Sequence, residues 1–187
     1  MIDKIIHSFD NIRCQNLFDD FVFIHWEEKE VNDFLEKNYK DKLKFFKNIN
    51  FYLKKDFVKT CILHRYGGIF ISGHLDVQKN FYNELDPVRM NILERYENNE
   101  VALDDSMVAS ENNMPGTMVI LDNIINNSLF EEVDKHNYNK YGFLESAKEL
   151  RKRFLDGYNV LPHNQFNVKK TDIDLYNREK IYIINES

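Results

Sequence analysis

Residues 55–77 hold the pattern that most narrows what this chain can fold into. Asp56 to Tyr66 reads as a helix, with Asp56 placed as its cap and Phe57, Cys61 and His64 on one stripe. Gly67 is a natural C-terminal stop. Gly68 then leads into Ile69-Phe70-Ile71, a β-branched and aromatic run typical of a core strand. A helix that turns through two glycines straight into an apolar strand implies an alternating α/β chain with a mainly parallel sheet.

The flanking segments agree with that class. Residues 2–7 and Phe21 to Trp26 are apolar on consecutive positions, as in strands of a sheet covered on both faces. Val31 to Phe46 carries Phe34, Leu35, Tyr39, Leu43 and Phe46 near one helical face. Asn48 to Leu53 reads as a short strand. Val101 to Ala109 and Thr117 to Asn126 supply a further strand and helix, and Glu145 to Leu155 a charged amphipathic helix. Tyr158 to His163 and Lys180 to Ile184 read as late strands or extended segments. No repeat or linker divides the 187 residues, so one domain is expected over 1–187.

Charge and cysteine content exclude several classes. The chain carries 31 acidic against 25 basic side chains, which disfavours nucleic acid as the main partner. Its two cysteines, Cys14 and Cys61, supply neither a disulfide framework nor a Cys-rich zinc site. Reduced thiols point to the cytoplasm. The first residues are interrupted by charge too early for a signal peptide, and no apolar run reaches the ~20 residues of a membrane helix.

In an open α/β sheet, ligands bind outside the carboxyl ends of strands. The stretch after Ile71 is such an end, and Ser72-Gly73-His74-Leu75-Asp76-Val77 gathers a hydroxyl, an imidazole and a carboxylate there. A carboxylate in that place suits a hard divalent cation, which would in turn hold a diphosphate. By spacing alone an ordinary polar turn explains the same residues, because one His and one Asp make a weak metal signature.

The run from Lys55 through Ile71 resembles the signature of the sugar-transferase family with a DXD motif. That group includes the yeast-type initiating mannosyltransferases, capsular polysaccharide transferases and large clostridial glucosylating toxins. Its pattern, Ser-Asp-x-x-Arg-Tyr-x-x-Leu-x-x-Tyr-Gly-Gly-Ile-Tyr-Leu-Asp-x-Asp-Val, is matched outright by Asp56, Leu63, Tyr66, Gly67, Gly68 and Ile69. Lys4-Ile5-Ile6-His7 is similar to the family's opening, and Trp26 falls where the family has a Trp after its second strand. Val108-Ala109-Ser110 through Pro115-Gly116 and Val160-Leu161-Pro162-His163 are similar to its middle and final segments. Lys59 stands where the family has Arg, which keeps the charge and loses the bidentate fork. The preferred register matches His74-Leu75-Asp76-Val77 to the acidic motif after a two-residue insertion, because it keeps the terminal Asp-Val; in the rival register Ser72 and His74 take the two acidic places.

The resemblance implies a glycosyltransferase-A type fold, with 1–80 as a nucleotide-sugar-binding half and 81–187 as an acceptor half. It implies transfer of a sugar from a UDP- or GDP-linked donor to a glycan or other hydroxyl acceptor, generally with retention. Donor contacts would come from His7, Trp26, Asp56, Lys59, Tyr66, Gly68, Ser72, His74 and Ser110. Mn²⁺ or Mg²⁺ would be held by Asp76, with His74 and His163 as further ligands. Asp76, Lys59 and Asp105 would carry catalysis. The altered acidic motif equally suits a non-catalytic domain that binds nucleotide or sugar, and a plain scaffold module would bind neither.

Overall fold

The computed structural model describes residues 1–97, 100–130, 140–153, 157–176 and 178–186. The strands of its main sheet are β1 (Ile5–Ser8), β2 (Val22–His25), β3 (Gly68–Ile71), β5 (Met90–Glu97), β6 (Glu100–Ser110) and β7 (Tyr158–Leu161). β4 (Leu75–Val77), β8 (Val168–Lys169) and β9 (Ile183–Asn185) form a smaller sheet in the order β4-β9-β8. The helices are α1 (Glu28–Asn38), α2 (Leu43–Asn48), α3 (Phe51–Tyr66), α4 (Pro115–Phe130), α5 (Phe143–Arg153) and the short α6 (His163–Phe166).

The main sheet runs β2-β1-β3-β6-β5-β7. β1 lies parallel to β2 and β3, and β5 parallel to β7; β6 is antiparallel to both its neighbours. Alternation along each strand feeds two cores. Phe70, Met90, Ile92 and Val108 meet Phe57, Cys61, Ile120, Leu121 and Leu150 from α3, α4 and α5. Ile6, Ile69, Ile71, Met107 and Ala109 face Phe18, Phe81, Phe166, Val77 and Ile183 on the other side. Both faces of β3 are therefore covered, and this is why its residues read as a continuous apolar run. β2 differs from expectation: it is an edge strand, and its Val22 is exposed.

The segment expected as a strand at Asn48–Leu53 is instead the junction of two helices, with Ile49 and Asn50 as the link between them. It closes α2 and supplies the first turn of α3, and Leu53 is fully buried there. Asp56 consequently lies inside α3 and does not cap it. Gly67 does end the helix: its φ is +64° and its amide donates to the Leu63 carbonyl at 2.9 Å. Gly68 follows at φ +87°, where a Cβ would stand 2.5 Å from the Ile5 carbonyl oxygen. The double glycine thus lets α3 reverse tightly into β3 against β1.

β6 carries the main irregularity. Its pairing with β5 jumps from Ile92↔Val108 to Leu93↔Asp104, so residues 105–107 form an extended bulge. Bulges re-aim side chains beside functional sites. Here the result is that Asp104, Asp105 and Ser106 all line one cavity.

Candidate active site

The cavity measures about 530 Å³ and opens at the carboxyl ends of β1, β3 and β5. Phe9 and Asp10 follow β1, Ser72 and His74 follow β3, and Arg95 and Tyr96 lie late on β5. Lys55, Asp56 and Lys59 come from successive turns of α3. The smaller sheet and the approach to it close the remaining side with Asn167, Lys169 and Asn185. Such a position is where open α/β sheets bind ligands.

Three charged groups form an ion cluster in its wall, centred on the buried Lys59. The Lys59 ammonium donates to an Asp105 carboxylate oxygen and also reaches the Asp105 carbonyl at 3.3 Å and Asp56 Oδ1 at 3.4 Å. It lies 4.7 Å from the centre of the Phe143 ring. Asp56 in turn accepts the Phe143 amide at 2.9 Å, so it caps the N-terminus of α5. Burial pulls the Lys59 pKa down, yet the two carboxylates outweigh it and hold the ammonium charged. Burial also acts on both acids; Lys59 prevails at Asp105, which is lowered, while burial prevails at Asp56, which is raised.

A second polar chain crosses the cavity floor. Asp104 accepts the Ser106 amide at 2.8 Å and the Asn167 side-chain amide at 3.1 Å. Asn185 donates to Asn167 Oδ1 at 2.9 Å. The β3–β4 turn is held close by: the Gly73 amide donates to Asp10 Oδ2 at 3.1 Å, and Ser72 donates its amide to the Ser106 carbonyl at 2.7 Å. A Cβ on Gly73 would stand 2.5 Å from Asp10 Cβ. Gly73→Ala is therefore expected to cost about 1–2 kcal/mol by overpacking, read as a lower urea midpoint. An unchanged midpoint would show that the turn relaxes freely.

Of the residues expected at the site, Asp56, Lys59, Ser72, His74 and Asp105 line this cavity together. Others lie elsewhere. His7 is fully buried, accepting the Trp26 indole N–H on Nδ1 at 3.2 Å and facing the Gly67 carbonyl with Nε2 at 3.0 Å. Tyr66 stacks among His7, Trp26 and Phe34. Gly68 serves the turn. Ser110 pairs opposite Gly68 in the sheet, buried, with no hydrogen-bond partner for its hydroxyl. His163 bonds Glu94 at 2.6 Å and stacks on Tyr96 at the rim.

Asp76 is the largest departure. Leu75 and Val77 turn into the core of the smaller sheet, so the alternation of β4 points Asp76 to solvent. There it accepts the Gln78 side-chain amide at 2.7 Å and lines no part of the cavity. The ungapped register, with Ser72 and His74 in the acidic places, is the one whose residues face the cavity.

The expected Mn²⁺ or Mg²⁺ ligand set does not fit this arrangement. Hard cations take carboxylate oxygens, but the turn presents a hydroxyl and an imidazole. Asp56 and Asp105 pair with Lys59, Asp104 accepts from Ser106 and Asn167, and Asp10 accepts the Gly73 amide on one oxygen. Among the described residues, no group of three His, Cys, Asp or Glu side chains is placed to hold a metal ion.

A second cavity of about 590 Å³ adjoins the first, sharing Phe9 and Lys55 with it. Trp26, Val31, Phe46, Phe51 and Val58 make it mainly apolar, in contrast to its polar neighbour. Sequence reasoning placed Trp26 near the site but did not anticipate Lys55, Arg95, Asn167, Lys169 or Asn185. Asp104 and Ser106 were signalled by the polar interruption of an apolar strand.

No family model matches the chain, and no curated protein matches its sequence. Solved structures do. PaToxG Glycosyltransferase is similar with a TM-score of 0.52 at 18% identity, over 83% of this chain and 73% of that one. A glycosyltransferase involved in the glycosylation of the major capsid of PBCV-1 is similar with a TM-score of 0.50 at 8% identity, over 97% of this chain and 91% of that one. Among the described residues no helix is long and apolar enough to cross a membrane. With its twisted six-stranded sheet, its helices on the flank and its cavity at the strand ends, the chain has a fold of the glycosyltransferase-A type.

Proposed function

We propose that this chain transfers a sugar from a UDP- or GDP-linked donor to a carbohydrate or other hydroxyl acceptor, with retention. The observation that carries the reading is the polar cavity at the ends of β1 and β3, where Asp56, Lys59, Ser72, His74 and Asp105 converge in a fold of this type. The donor's parts suit the two cavities. The apolar one, lined by Trp26 and Phe46, suits a nucleobase, and the polar one suits a sugar. Asp105, kept ionised by Lys59, would stabilise positive charge developing at the anomeric carbon. Residues 1–80 would then mainly hold the donor, and Arg95 and Tyr96 would border the acceptor.

A second reading, binding of nucleotide or sugar without turnover, is favoured by Ser72 and His74 standing in the acidic places. Incubation with a panel of UDP- and GDP-sugars, with released nucleotide and free sugar quantified, separates the two. Turnover supports the transferase; binding by calorimetry without turnover supports the second reading; neither overturns both. His74→Ala is expected to lower donor turnover about tenfold, the cost of one hydrogen bond to a charged group, with the melting temperature unchanged. Full turnover in that variant would remove His74 from the site.

A further inference from the structure

We infer that cations of the chain itself, Lys55 foremost, neutralise the donor's diphosphate, so that donor binding needs no divalent metal. The inference rests on the nucleotide-sugar reading above and names how that site meets the charge of its ligand. A nucleotide sugar is linear: base and ribose, then diphosphate, then sugar. If the base takes the apolar cavity and the sugar the polar one, the diphosphate must lie where the two cavities join. Phe9 and Lys55 are the residues common to both linings. Lys55 is exposed there, one turn of α3 before Lys59. Arg95 on β5 and Lys169 on β8 bring further positive charge to the polar cavity.

Lys59 cannot serve in the same way, because two carboxylates already surround it and it is 6% exposed. Nor does the chain present the usual means of holding an ion at this point. Ser72 and His74 occupy the turn, Asp76 faces solvent on β4, and the carboxylates of the cavity are each engaged by donors of the chain. An ammonium at the junction supplies the charge that a metal ion would otherwise bring, and it acts as a point charge suited to phosphate oxygens.

Calorimetric titration of the full chain with UDP, GDP and inorganic pyrophosphate, in EDTA and separately in Mn²⁺ or Mg²⁺, tests this. Equal affinity within about twofold in EDTA and in metal is expected for at least one nucleotide, together with about tenfold weaker binding in Lys55→Gln. Lys152→Gln, exposed on α5, serves as the charge control and should bind as the parent does. Affinity should also fall as salt rises, since the contact is between accessible charges. Binding that appears only with Mn²⁺ or Mg²⁺ overturns the inference and leaves the transferase reading standing. Metal-free binding undiminished in Lys55→Gln overturns the assignment to Lys55. No binding of any probe in any condition overturns the nucleotide-sugar reading itself, and the inference with it.

Discussion

Lys59→Ala is expected to destabilise the protein by about 3–5 kcal/mol, the range found when one member of a buried ion cluster is removed. Its motif position suggests a lysine reaching for the donor, which would fold normally when truncated. The structure gives it another task. Its ammonium lies between Asp105 and Asp56 and over the Phe143 ring, and the two acid side chains are only 27% and 18% exposed. Without the ammonium, two adjacent carboxylates would share a desolvated site, and the charge that keeps Asp105 ionised would be gone. Asp56, whose pKa burial already raises, would take a proton and relieve part of the repulsion. That relief places the expected cost towards the lower end of the range. Urea denaturation reads the loss directly, and the triple variant Lys59→Met, Asp56→Asn, Asp105→Asn should recover part of it, because no uncompensated charge remains. A loss below about 1 kcal/mol in Lys59→Ala would mean that the acids find water instead, and the buried cluster would not be structural.

The same cluster shows what was and was not legible in the sequence. The α3–Gly67–Gly68–β3 unit was readable because its signals are local: a helical run, glycines where φ is positive, an apolar strand. The cavity's place at the end of β3 followed from that unit, and Ser72 and His74 with it. Asp56 misled because the helix begins earlier, at Phe51, so its carboxylate caps α5 at Phe143, 87 residues away. The short run Asn48–Leu53 is too brief for its periodicity to separate strand from helix. Asp76 failed for a geometric reason: which face of β4 it takes is set by pairing with β9, Asp76↔Ile184, and not by its neighbours in sequence. Asn167 and Asn185 reach the cavity through the same small sheet, so nothing local marks them. The bulge that turns Asp104, Asp105 and Ser106 inwards left a trace only as three polar residues breaking an apolar strand.

Stability is expected to fall by about 3 kcal/mol through His7 alone as the pH drops from 6.5 to 4, given 1.36 kcal/mol per pKa unit. The family resemblance implies a donor contact for this imidazole at the end of β1; the structure seals it in the core beneath the double-glycine turn. Its two nitrogens are used in opposite senses. Nδ1 accepts the indole N–H of Trp26, so the proton of the neutral ring must sit on Nε2, where it is donated to the Gly67 carbonyl. A second proton on Nδ1 would face the Trp26 donor and break that bond. Burial adds to the penalty and, against a small opposing effect of the Gly67 carbonyl, pushes the His7 pKa down to about 4. The unfolded chain binds this proton with an ordinary pKa of 6.5, so between the two values it holds more protons than the folded one. Stability from this residue is therefore complete above pH 6.5 and drains away towards pH 4. Urea denaturation at several pH values in that window gives the slope for the parent, and His7→Gln provides the comparison. Glutamine cannot titrate, so its stability, lower at neutral pH, should vary less with pH across the window. Parallel slopes in the two proteins would mean that His7 keeps its ordinary pKa on folding, and the neutral, core-bound imidazole would have to be abandoned.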